Sequence, residues 1–136
     1  MARAMARFAD PTGLGPARMA AVTRIHQAMA AEPFMVAGTD RFCTAALRAF
    51  GRRVLVKTGA EGVYAAALPE RGLGIALKID DGASRASQVA LGALLRRCGV
   101  IDREAEAALS SLLCPPLTNR AGRPVGEIRA TGFAKS

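Results

Sequence analysis

Lys57-Thr58-Gly59 is the group of residues in this sequence best suited to chemistry. It closes a run in which Val54 and Val56 alternate with Leu55 and Lys57, the period of a β-strand. A Lys there sets a positive charge and a proton donor beside whatever lies against the strand end. The Thr hydroxyl can hydrogen-bond a ligand carboxylate, and Gly removes a side chain where a ligand must meet the backbone. The plain alternative is a solvated gatekeeper on a sheet edge. Glu61 and Gly62 follow in the adjoining turn, either shaping a site or serving turn chemistry alone. Arg41 can hold a carboxylate by a two-pronged hydrogen bond, or it is a surface Arg at a helix end. An activated serine is missing from the set. None of the five serines is followed three residues later by Lys, and the single Asn, Asn119, has no Ser two residues before it. With one His, a Ser-His-Asp triad would have to use His26, and a His-rich metal site is excluded.

The elements that must position these residues follow from the pattern. Met1 to Ala9 reads as a helix without an N-cap, and Asp10 to Pro16 as a loop dense in Pro and Gly. Ala17 to Ala31 is a helix with Met19, Val22, Ile25, His26 and Met29 along one side, stopped by Pro33. Thr39 or Asp40 caps a shorter helix ending at Phe50, with Phe42, Ala46, Leu47 and Phe50 as its stripe and Gly51 after it. Arg52–Thr58, Val63–Leu68 and Leu73–Ile79 are three strands, and the short turns between them make an antiparallel meander. Asp80-Asp81-Gly82 opens a long helix with Ala86, Val89, Ala90, Ala93, Leu94 and Arg97 as its stripe, ended by Gly99. Asp102 caps a last helix carrying Leu109, Leu112 and Leu113, closed by Pro115-Pro116. The tail to Ser136 is mostly irregular, with a short strand at Val125 to Ala130. The class is α+β, an antiparallel β-meander flanked by helices.

The 136 residues fit one domain and no more. The core must be aliphatic, since Trp is absent and aromatics are 4%. A net charge of +8 raises the possibility of a nucleic-acid partner. Against it, sixteen Arg are spread over every element, with no aromatic platform and no binding motif. The longest uncharged stretch, Ala107 to Asn119, is too short for a bilayer and is broken by two Pro, so no membrane partner is expected. Cys43, Cys98 and Cys114 are an odd count without CxxC spacing, which suits small buried apolar groups in a reducing cytoplasm. His26 reads as a packing residue, and Lys78 as a partner for an Asp or a resident of the open sheet face.

A Lys-Thr-Gly strand is one of three elements of the serine β-lactamase and penicillin-binding-protein active site. Longer matches narrow the resemblance. Phe34-Met-Val-Ala-Gly38, Arg41-Phe42, Val56-Lys-Thr-Gly-Ala-Glu-Gly-Val63, Ala67-Leu-Pro69, Gly72-Leu-Gly-Ile-Ala-Leu-Lys-Ile-Asp-Asp-Gly82 and Arg85-Ala86 resemble the C-terminal half of the bacterial L-asparaginase II family, the rhizobial inducible type. Asn119 to Arg129 resembles the family ending.

The resemblance implies a serine β-lactamase/glutaminase-like fold of which this chain, 1–136, is a single partial domain. It implies hydrolysis of L-asparagine to L-aspartate and ammonia, with Lys57 as the catalytic Lys of the Lys-Thr-Gly strand. Thr58, Gly59, Glu61, Gly62 and Arg41 are the expected substrate-binding set. Full-length relatives carry a zinc whose ligands lie upstream of the aligned segment, so no metal and no cofactor is expected in this chain. Cys43 stands where relatives often have Asp. Because the Ser-x-x-Lys half is absent, the expected state is a truncated chain, inactive by itself, that associates as a homo-oligomer or with a complementing N-terminal half. A non-catalytic remnant is the alternative.

Overall fold

The computed structural model describes residues 1–132. Three strands stand where the period-two pattern predicts them: β1 (Leu55–Thr58), β2 (Tyr64–Leu68) and β3 (Leu73–Leu77). They pair antiparallel in the order β1-β2-β3. The register sets Lys57 opposite Ala65 and Ala65 opposite Ala76; on the other face Thr58 lies opposite Tyr64, and Tyr64 opposite Leu77. Directly opposed residues share a face, so Lys57 and Thr58 leave the strand on opposite faces. Among the described residues six α-helices accompany the sheet: α1 (Ala2–Ala9), α2 (Pro16–Ala31), α3 (Pro33–Ala37), α4 (Phe42–Phe50), α5 (Ser84–Arg97) and α6 (Arg103–Leu113). The arrangement is α+β, as the element order predicts.

One sheet face is covered by α1. Gly74 allows this: a Cβ there would lie 2.6 Å from the Met5 carbonyl carbon and closer still to Ala6 N and Ala2 O. Gly74 shares its face with Ala67 and Leu55, and with alternation that is also the face of Lys57. The main core lies on the other face, where α4 and α6 bring Phe42, Cys43, Leu47, Phe50, Leu109 and Leu113 to Val56, Tyr64 and Ala66. Ala65 to Leu68 are buried throughout, as expected of a central strand with cover on both faces. Among the described residues a second sheet, β4 (Pro116–Thr118) with β5 (Pro124–Glu127), forms a wholly exposed hairpin.

Several boundaries differ from the sequence reading. Pro33 does end α2, but it also begins α3, because a Pro lacks only the N–H that a first helical turn leaves unpaired anyway. The N-cap of α4 is Arg41, with no side-chain cap; Asp40 instead takes a left-handed backbone, φ 53°. Gly51–Arg53 is a short 3₁₀ turn, so β1 starts at Leu55. The helix expected at Asp80-Asp81-Gly82 starts at Ser84; Asp81 still serves its entry, accepting from Ala83 N at 2.8 Å. Ser87, Leu91 and Leu95 are fully buried in α5, so its inward face is turned from the predicted stripe. Gly92 is part of the reason, since it lets Leu113 of α6 approach closely. On α2 only His26 is buried, and Met19 and Ile25 are exposed. Asp102 caps α6 as predicted, accepting from Ala105 N at 2.8 Å. The predicted tail strand is Pro124–Glu127; residues 133–136 of that tail lie outside the described residues.

Candidate active site

β1 ends at Thr58 because the chain must turn at once. Gly59 N donates to Val63 O at 2.8 Å and Val63 N to Ala60 O at 3.1 Å, which closes the turn into β2. Two consecutive residues in that turn, Glu61 (φ 53°) and Gly62 (φ 71°), take left-handed backbone. A Cβ on Gly62 would lie 2.9 Å from Ile79 Cβ and 3.1 Å from Gly82 C, so only Gly fits. Ile79 N donates to Gly62 O at 3.2 Å, which fastens this turn to the Asp80–Gly82 turn. The strand end is therefore held from two sides by backbone.

Lys57 is exposed at this end. Its ammonium donates to Thr58 O at 3.2 Å and is in no ion pair among the described residues. The Thr58 hydroxyl donates to Gly59 O at 3.2 Å. Lys78 likewise folds back on its own backbone, donating to Ile79 O at 2.6 Å.

Tyr64, which the sequence reading does not single out, lies opposite Thr58 and joins the sheet to α4. Its hydroxyl shares a 3.3 Å hydrogen bond with Cys43 Sγ, and Phe42 meets its ring edge-on at 5.8 Å. Burial, first, and then the Cys43 contact push the phenol well above its ordinary pKa. A hydrogen bond with Thr58 and the positive charge of Arg41 act in the other direction. Tyr64 is thus a neutral phenol that joins the sheet to α4, with Thr58 directly opposite it on β1. A signal did exist: a five-residue turn after Thr58 sets residue 64 directly across from it. Cys43 had no such signal.

Arg41 also lines a cleft of about 270 Å³ with Asp40, Thr44, Ala45, Arg48, Ser111 and Leu112. Thr44 donates to Gly38 O at 2.6 Å, which sets the turn into α4 and so the position of Arg41. Thr58 lies opposite Tyr64, Lys57 is adjacent on the opposite face, Glu61 and Gly62 form the supporting turn, and Arg41 stands apart from them at the start of α4. Ser87 and Ser110 donate to the backbone at Ser84 O and Ala107 O, not to a lysine. The cysteines do not fit a zinc. Cys43 is buried against Tyr64, Cys98 is half-buried and Cys114 exposed, and among the described residues no three His, Cys, Asp or Glu side chains come together.

An α+β domain with a Lys-Thr-Gly strand end at a sheet edge defines the class. The family model for L-asparaginase II matches residues 1–130, and the chain belongs to the L-asparaginase II family. No curated protein matches the chain. No helix among the described residues is long and apolar enough to cross a membrane.

Proposed function

We propose that this chain forms the Lys-Thr-Gly side of an amidohydrolase site that converts L-asparagine and water to L-aspartate and ammonia. The observation that carries this is the exposed ammonium of Lys57 at the end of β1, next to a Thr58 that lies opposite the buried Tyr64, in a chain of the L-asparaginase II family. Lys57 supplies positive charge beside the nucleophile and a proton to the departing ammonia. The Thr58 hydroxyl and the Arg41 guanidinium hold the substrate carboxylate, which a forked donor matches. Gly59 lets the substrate lie against the strand, and Glu61 and Gly62 keep the turn in shape.

The 136 residues contain no Ser-x-x-Lys, so an activated serine must come from a further segment or partner, whether a complementing half or another copy. The chain by itself is therefore inactive. Its three free cysteines suit a reducing cytoplasm.

The test is reconstitution. The chain is coexpressed with the Ser-x-x-Lys half of an L-asparaginase II enzyme, and ammonia release from L-asparagine is followed. Turnover is expected in the pair, lost in Lys57→Ala and kept in Lys78→Ala. Turnover that survives Lys57→Ala would remove Lys57 from the mechanism.

A further inference from the structure

Between α4 and α6 lies the cleft of about 270 Å³ that Arg41 lines. Arg41, Thr44, Ala45 and Arg48 are three and four residues apart, so they form one row along α4. The two Arg stand about 10 Å apart along the helix axis. The small Ala45 between them leaves the room, and the buried Thr44, tied to Gly38 O, holds the floor. Ser111 and Leu112 of α6 form the facing wall. Asp40, in left-handed backbone, stands beside Arg41. Unpaired Arg are common on this surface. Charges of both signs that line one cleft without pairing are not. Among the described residues Asp40, Arg41 and Arg48 are in no ion pair. Ser111, unlike Ser110, gives its hydroxyl to no backbone carbonyl there.

We propose that this cleft binds a small acidic amino acid, L-aspartate fitting it best. The cleft offers two positive charges and one negative, and L-aspartate at neutral pH carries two negative charges and one positive. Arg48 takes one carboxylate in its fork and Arg41 the other, the ligand ammonium donates to Asp40, and the Ser111 hydroxyl donates to the carboxylate on its side. Succinate, a dianion of similar length, lacks the ammonium and would face Asp40 with no positive charge. L-Asparagine has only one carboxylate and leaves one Arg without a partner. The volume lies just below the range of about 300–1,000 Å³ usual for drug-sized ligands, which suits a metabolite of few atoms. The proposal rests on the proposed function in one respect, that L-aspartate is the product of that reaction; the charge pattern is the chain's own. Arg41 is also given to the substrate in the catalytic reading, so Arg48 is the residue that reports on the cleft alone.

Equilibrium dialysis of the unaltered chain against labelled L-aspartate at low salt reads the site without turnover, so its failure and that of the asparaginase reading are told apart. Saturable binding of one L-aspartate per chain is expected, with Kd about 1 mM or tighter. Unlabelled succinate and L-asparagine are each expected to compete about tenfold more weakly, the worth of one charge-assisted hydrogen bond. Arg48→Leu should weaken L-aspartate by about tenfold or more on the same grounds. Asp40→Asn should bring L-aspartate down to the level of succinate. Both residues are exposed, so both variants are expected to fold, which circular dichroism checks. Lys57→Ala should bind L-aspartate as the parent does. Binding that is undetectable at about 10 mM, indifferent to Arg48→Leu, matched by succinate in the unaltered chain, or lost in Lys57→Ala would each overturn the proposal; the last would put the ligand at the Lys-Thr-Gly strand end instead.

Discussion

Gly74→Ala is predicted to lift α1 off the sheet. The added methyl would sit 2.6 Å from the Met5 carbonyl carbon, and closer to Ala6 N and Ala2 O. All three are backbone atoms, so no side-chain rotation relieves the overlap, and α1 must shift outward by about an ångström to restore ordinary contact. Overpacking of this sort costs about 1–3 kcal/mol. The upper bound comes from undocking α1 altogether. That step exposes the half-buried Met5 and Phe8 and the buried Ala9. At about half of the 1.5–3 kcal/mol for full burial of each large side chain, plus about 0.8 kcal/mol for the Ala9 methyl, the loss is about 3 kcal/mol. The expected destabilisation is therefore about 2–3 kcal/mol, with exchange protection lost first in Ala2–Ala9. Gly92→Ala is the control. There the overlap is with the tip of the Leu113 side chain, whose Cγ is already 3.6 Å away. A rotamer adjustment of about 1 kcal/mol is offset by a similar gain in helix propensity. Urea unfolding followed by circular dichroism, with hydrogen exchange, measures both. A Gly74→Ala chain as stable as the parent, with α1 still protected, would refute the packing described for that face.

Tyr64→Phe removes the hydroxyl shared with Cys43 while keeping the ring; a loss of about 1 kcal/mol is expected in urea unfolding, together with a weaker substrate affinity in reconstituted enzyme. Burial lowers the pKa of His26 below its ordinary 6.5, against the raising effect of its hydrogen bond to Phe8 O. A lowered folded pKa gives stability that is complete above about pH 6.5 and is lost as pH falls through the folded value, so melting temperature should begin to fall there; His26→Gln should flatten that part of the profile. Asp10, Asp81, Asp102 and Glu106 also have lowered pKa values, the first three chiefly through hydrogen bonds from backbone or side-chain groups and Glu106 through Arg96. They add a second decline below about pH 4, which a melting series across pH 2–8 would separate from the first.

The legible part of the fold was the part written in period and punctuation. Val54 to Lys57 alternate and two short turns separate three strands, so the meander and the Lys-Thr-Gly strand end could be read directly. What depended on contact between distant segments could not. The inward face of α5 is set by Leu113 entering over Gly92, a fit invisible to a helical wheel. Met19 and Ile25 look like a core stripe, yet α2 buries only His26, which is drawn in by Phe8: its Nε2 meets Phe8 O at 2.7 Å and the rings stack edge-on. Pro33 was ambiguous in principle, since the same ring that bars a helix interior suits a helix start. At the candidate site, Lys57, Thr58 and Arg41 were named from residue chemistry. The pair that stands beside Thr58, Tyr64 with Cys43, needs the register of β2 and the docking of α4 at once.

The central claim is that these 136 residues hold one side of an asparagine-hydrolysing site and lack its activated serine. Ammonia release from L-asparagine by the purified chain alone tests it most directly. No release above the enzyme-free blank is predicted; sustained release that Lys57→Ala abolishes would contradict it.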